Sequence, residues 1–192
     1  MDIQHVNVKL LVGNPQSVEL EPLIPVFHRW IQGQVCDELL LDIADYRHVA
    51  AGPGIALIGH QADYSLDNTD NRLGVRYNRK APFDGTNRDR LMQAVCSVLK
   101  ACQRLEEDAA LRGKIRFNGQ EVDLFINDRM LAPNYEETRQ RLDPEFKAFF
   151  DTLFRGGDYS MIYDRDPRHL LRISVRASRL FTVSDLIRNL VP

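Results

Sequence analysis

Residues 55–79 read IALIGHQADYSLDNTDNRLGVRYNR. Apolar and polar residues alternate on both sides of Asp67-Asn68-Thr69-Asp70-Asn71. Alternation at every second position marks a strand with one buried face. Asp, Asn and Thr favour turns because their side chains bond nearby backbone groups. The segment therefore reads as two antiparallel strands, 55–66 and 73–79. A third strand, 38–45, precedes them across the turn formers Ala50-Ala51-Gly52-Pro53-Gly54. The second turn sets Leu66 opposite Leu73, Tyr64 opposite Val75, Ala62 opposite Tyr77 and His60 opposite Arg79. The other face then carries Asp63 against Arg76 and Gln61 against Asn78. Across the first turn Leu41 meets Ala62, Ile43 meets His60 and Asp45 meets Ile58. A slip of one residue would exchange the two faces, so this polarity supports the register.

The flanking sequence extends the pattern. Residues 5–12, HVNVKLLV, alternate Val6, Val8, Leu10 and Val12 with polar partners, a strand ended by Gly13-Asn14-Pro15. The segment 22–32 places Leu23, Ile24, Phe27, Trp30 and Ile31 on one helical face, with His28 pointing away. Thr86 and Asp89 have capping-box spacing for a helix running to Glu107, with Leu91, Val95, Val98, Cys102 and Leu105 as its stripe. Asn118-Gly119 between two alternating runs predicts a tight hairpin pairing Ile115 with Val122 and Arg116 with Glu121. Asn134 and Glu137 cap a short helix. Asp143-Pro144 opens another, with Phe146, Phe149, Phe150 and Leu153 inward and Gly156-Gly157 as the stop. A last hairpin, 158–163 with 169–177, precedes a helix from Ser184 to Leu190. The expected fold is a single α+β domain spanning 1–192: a largely antiparallel sheet of about eight strands, with four to five helices packed mainly on one face.

The chain has 192 residues, 44% of them apolar, enough for a substantial core. Its 25 basic and 27 acidic residues give a net charge of −2, which exerts no general pull on nucleic acid or an acidic membrane. The start Met1-Asp2-Ile3-Gln4 lacks a secretory pattern, and no apolar run is long enough to cross a bilayer. Cys36, Cys96 and Cys102 have no paired spacing and read as free thiols, which points to the cytoplasm.

No GxxxxGK[ST], GxGxxG, GxSxG or HExxH motif occurs. Residues 67–78 fail as a calcium loop, because Arg72 stands where glycine is needed and Asn78 where glutamate is needed. No metal or cofactor is expected. Three candidate groups remain. Asp45, His60, Tyr77 and Arg79 fall together at one end of the inferred strands, where a general base, its orienting carboxylate and an anion-binding guanidinium would suit a small enzyme or a small anionic ligand. The alternative for these four is a structural polar plug. Gln61, Asp63, Arg76 and Asn78 form a polar sheet face suited to a protein partner or self-association. Asn127, Asp128 and Arg129 follow a buried strand, in the kind of loop that often carries function. The plain reading of that loop is that Asp128 and Arg129 fix it while Met130 and Leu131 pack. His48 and His169 read as surface residues.

IPVFHRWIQ (24–32), LIGHQADYSLDN (57–68), YNRK (77–80) and INDRMLAPN (126–134) resemble a set of uncharacterised bacterial proteins. The resemblance implies a soluble bacterial protein and no particular activity. With no catalytic signature, the expectation is a non-enzymatic binding or interaction domain.

Overall fold

The computed structural model describes residues 1–190, and their one sheet has eight strands. In chain order these are β1 (Val6–Val12), β2 (Leu40–Tyr46), β3 (Gly54–Gly59), β4 (Ala62–Asp67), β5 (Gly74–Arg79), β6 (Phe117–Ile126), β7 (Tyr159–Tyr163) and β8 (Leu171–Ala177). They lie in the order β2-β3-β4-β5-β1-β6-β8-β7, and every neighbouring pair is antiparallel. Four helices accompany them: α1 (Leu23–Gly33), α2 (Asn87–Glu107), α3 (Glu136–Leu153) and α4 (Val183–Leu190). The α+β architecture is as expected. α2 packs on β1 and β5, α1 on β2 and β3, and α4 on β6, while α3 packs on α2 and α4. Val8, Leu10, Leu57, Leu66, Val75, Leu124 and Val175 meet the helix stripes in one continuous core.

The sequence explains most of this. α2 begins with the expected capping box: the Thr86 side chain accepts from the Asp89 N–H, and Asp89 accepts from the Thr86 N–H. In α1, Leu23, Val26, Phe27 and Trp30 are buried while His28 is exposed. Cys36, Cys96 and Cys102 are free.

Five local expectations are corrected. The run 55–66 is two strands, folded back at His60-Gln61. Gly59 permits this, since a Cβ there would lie 2.3 Å from the Ala62 carbonyl oxygen. With that hairpin inserted, β2 pairs Asp45 with Ile55 and Ile43 with Leu57. β4 and β5 are shifted by two residues, with Leu66 opposite Val75, Tyr64 opposite Tyr77 and Ala62 opposite Arg79. An even shift keeps the side chains of β4 and β5 on their predicted faces, whereas the reversal at His60 turns β3 over and buries Ile55 and Leu57 in place of Ile58.

Asn118-Gly119 is not a hairpin turn. β6 runs through it, and the pairings Leu10 with Val122 and Val12 with Phe117 leave residues 118–121 as a bulge opposite Leu11. Asn14 holds residues 114–116 beside the end of β1, accepting from the Arg116 N–H at 2.9 Å and donating to the Lys114 carbonyl at 3.0 Å. Residues 136–153 form one helix through Pro144, not two. The burial of Leu142, Phe146, Phe149, Phe150 and Leu153 on one face outweighs the roughly 3 kcal/mol disfavouring of an interior proline.

The bulge makes a sharp demand on Gly119. A Cβ at this position would stand 2.3 Å from the Phe181 carbonyl oxygen. Gly119→Ala is therefore expected to destabilise the fold by about 1–3 kcal/mol, read as a lowered urea midpoint.

Candidate interaction surface

The helices cover one face of the sheet and leave the other open. Alternation sends Asn7, Lys9 and Leu11 of β1 to the open face. The register sets Lys9 between Arg76 of β5 and Asp123 of β6, and Asn7 between Asn78 and Phe125. Beyond them, Ser65 lies beside Arg76, Ser174 beside Asp123 and Arg172 beside Phe125.

Charges here are buried without a covering layer, because neighbouring long side chains shield one another. Lys9 and Asp67 are each 3% exposed, and Lys9 Nζ donates to Asp67 Oδ1 at 2.5 Å. Asp67 also accepts from the Thr69 N–H and hydroxyl, so the turn at 68–71 closes over the pair. Burial pushes the Lys9 ammonium pKa down, and Asp67 opposes that shift. Asp123 is fully buried and accepts from Arg72 at 3.1 Å, Arg172 at 2.9 Å and the Ser174 hydroxyl at 2.6 Å. Arg72 also pairs with Glu121, and Arg172 with Asp70. Burial disfavours the charged Arg172 guanidinium, but Asp123 and Asp70 outweigh it and hold its pKa above the ordinary value.

Arg76 differs from these cations. It is half-buried, but no buried nitrogen of its side chain is left without a partner, so the nitrogens that make no hydrogen bond stay open to solvent. It lies over the Phe125 ring at 4.6 Å, and Arg172 lies over the same ring at 5.0 Å. Burial lowers the Arg76 pKa; the nearby Asp67 carboxylate opposes that, the Arg172 charge adds to it, and Asp70 and Asp123 oppose it more weakly.

The predicted residues divide accordingly. Asp63, Arg76 and Asn78 share the open face, but Asp63 stands opposite Asn78, not Arg76, and pairs with Lys80 at 2.7 Å. Gln61 sits in the β3–β4 turn and accepts from the Leu39 N–H. The cluster of Asp45, His60, Tyr77 and Arg79 is not assembled, nor is the alternative plug in which Arg79 pairs with Asp45. Asp45 lies at the far end of β2, exposed and bound to Arg47, which holds its carboxyl down at about 2. His60 is exposed at the turn. Arg79 donates to the carbonyls of Ala81 and Pro82. Splitting 55–66 into two strands is what carries these residues apart.

In the loop after β6, Asp128 accepts from the N–H groups of Met130 and Leu131, as expected of a residue that fixes the loop. Asn127 donates its N–H to the His5 carbonyl, and Arg129 is exposed. Met130 and Leu131 do not pack; they are 94% and 47% exposed, because the chain turns outward before Ala132 re-enters the core. His169 is exposed, as expected, with Nδ1 2.8 Å from Asp164 Oδ2.

Sequence reading missed Glu38. It is 3% exposed and accepts from the hydroxyls of Tyr64 and Tyr77, both at 2.7 Å. Gln93 of α2 donates to the Tyr77 oxygen at 2.7 Å. Burial raises Tyr64 far above the ordinary phenol range and pushes Tyr77 up to about 12 and the Cys36 thiol up to about 11. Its members are enclosed between the sheet and α2, so this cluster fastens the structure. The available signal was Tyr64 and Tyr77 on the core face, since buried hydroxyls need an acceptor.

Among the described residues, no three His, Cys, Asp or Glu side chains converge as metal ligands, and no helix is long and apolar enough to cross a membrane. Comparison with family models, curated proteins and solved structures returns no match.

Two outcomes follow from these networks. Lys9→Met strands a buried carboxylate and should cost about 3–5 kcal/mol, while adding Asp67→Leu should restore most of it in chemical denaturation. Tyr77 favours its neutral form when folded, up to about pH 12, against an unfolded value of 10.0. Its contribution is complete below pH 10 and is lost as pH rises through 12. Urea midpoints measured across that window should fall, and should fall less in Tyr77→Phe.

Proposed function

We propose that the chain is a non-enzymatic binding module whose open sheet face docks an acidic segment of a protein partner. One observation carries the reading. Arg76 is half-buried at the centre of this face, and it lacks the acceptor that every other half-buried or buried cation around it has. Asp67, Asp70 and Asp123 act on this half-buried guanidinium only through space, and an arriving carboxylate would supply the directly bonded acceptor it lacks. Phe125 and Arg172 flank the spot, so the carboxylate would meet a planar, preorganised donor. The face is left uncovered by the helices, which fits a peptide or protein surface better than a small molecule enclosed on several sides. Lys9, Arg72 and Arg172 are paired with carboxylates of the same face, and the exposed Arg176 stands apart from them, which is not the basic stripe that nucleic acids require.

The test is titration of a glutamate-rich peptide into wild type, Arg76→Leu and Arg76→Lys, followed by amide chemical shifts. Binding should perturb the amides of β5, β1 and β6. It should weaken by about 10- to 100-fold in Arg76→Leu. Arg76→Leu should fold with unchanged or slightly higher stability, as expected when a strained binding residue is removed. Substantial destabilisation by Arg76→Leu, or peptide affinity unaffected by it, would refute the proposal.

A further inference from the structure

The two ends of the sheet are defended differently. β2, at one end, carries Asp42 and Asp45 and is broken by a bulge after Leu40. Inward or edge charges and bulges are the ordinary means of stopping one sheet from adding to another. β7, at the other end, reads Tyr159-Ser160-Met161-Ile162-Tyr163. It has no charge and no proline, and its register with β8 is unbroken.

The outer backbone of β7 is open. The Asp158 carbonyl accepts from the Ser178 N–H, and the Asp164 N–H donates to the Arg172 carbonyl. The even-numbered residues thus bond to β8, which turns the N–H and C=O groups of Tyr159, Met161 and Tyr163 outward. These outward groups have no backbone partner among the described residues. Ile162, on the open-face side, is 67% exposed at the middle of this edge.

We infer that β7 is a self-association edge, pairing antiparallel with β7 of a second copy about a two-fold axis at Ile162. The occupant follows from the strand's own complementarity. An antiparallel partner must bring its odd residues opposite these odd residues, which leaves few registers. Centring on Met161 sets Asp158 opposite Asp164 twice, like charge against like. Centring on Ser160 sets Asp158 opposite Ile162. Centring on Ile162 sets Ile162 against Ile162, Ser160 against Asp164 and Met161 against Tyr163, with Arg165 beside Tyr159. That register alone buries the exposed isoleucine against its own kind and opposes no two charges within the strand. A contact through five residues falls short of the roughly 1,600 Å² of a standard interface, so the dimer is reversible on dilution.

Sedimentation of the whole chain over a dilution series tests this, together with oxidative cross-linking. Wild type should shift from one to two copies as concentration rises. Ile162→Lys should remain a monomer throughout. Met161→Pro should do the same, because the N–H it removes points outward and serves no bond to β8. Opposed residues of a non-hydrogen-bonded pair lie about 4.5 Å apart at Cα, within disulfide reach. Ile162→Cys should therefore form a linked dimer on mild oxidation, and Ser160→Cys should not, with wild type as the control for the native thiols. A wild type monomeric at all concentrations would overturn the inference. So would a dimer that Ile162→Lys leaves intact, or preferential cross-linking at Ser160→Cys.

Discussion

A sheet eight strands wide has two faces, and this chain has helices for one. The open face must therefore satisfy its own buried polar groups. Lys9 lies in β1, with strands on both sides, so its ammonium is out of water even though no helix covers it. Asp67 is its direct acceptor, and much else is arranged around that pair. The turn after β4 folds over it, with Asp70 and Asn71 in the left-handed region at φ 62° and 55°. From there Asp70 reaches Arg172, which in turn reaches Asp123. The network ties β4, β1, β6 and β8 together across the sheet. Removing one charge would strand its partner, so the network acts through mutual dependence more than through net attraction.

The covered face has a counterpart. Glu38, just before β2, is gripped by tyrosines on β4 and β5, and Gln93 of α2 joins them. This knot fastens the edge of the sheet to its centre and to the longest helix. Its parts come from residues far apart in sequence, and burial makes each hydrogen bond costly to leave unmade. The two networks lie on opposite faces of the sheet and meet at β4, while β1 is buried throughout because α2 covers one side of it and the paired charges shield the other. Arg76 stands apart from this scheme: it lies over the Phe125 ring and joins no ion pair among the described residues.

Legibility in the sequence followed how local the physics was. The Thr86-Asp89 capping box and the stripes of α1 and α2 depend on residues a turn or two apart, and they were read correctly. The side of the sheet on which Asp63, Arg76 and Asn78 lie was also readable, because parity survives an even shift in register. Asn118-Gly119 was misread because its turn chemistry is the same whether the chain reverses or bulges. What decided between them was Asn14 pinning residues 114–116 beside β1, a contact about a hundred residues distant in sequence. Gly59 was a local sign of the missed reversal at His60, outweighed by the alternation on either side of it. Asp45, His60, Tyr77 and Arg79 seemed to converge only while 55–66 was one strand.

The sequence by itself determined the class, the capped start of α2 and the buried faces of β1, β4 and β5. Those properties arise from periodicity, capping and composition within a short window. The tertiary structure alone decided which strands are neighbours, which charges find partners and which do not. Glu38 looks like a surface glutamate until two tyrosines arrive beside it. Arg76 looks like half of an ordinary cross-strand pair until a register shift gives Asp63 to Lys80 and leaves the guanidinium over Phe125. Electrostatic pairing and burial depend on distances set across the whole sheet, and no short stretch of the chain contains them.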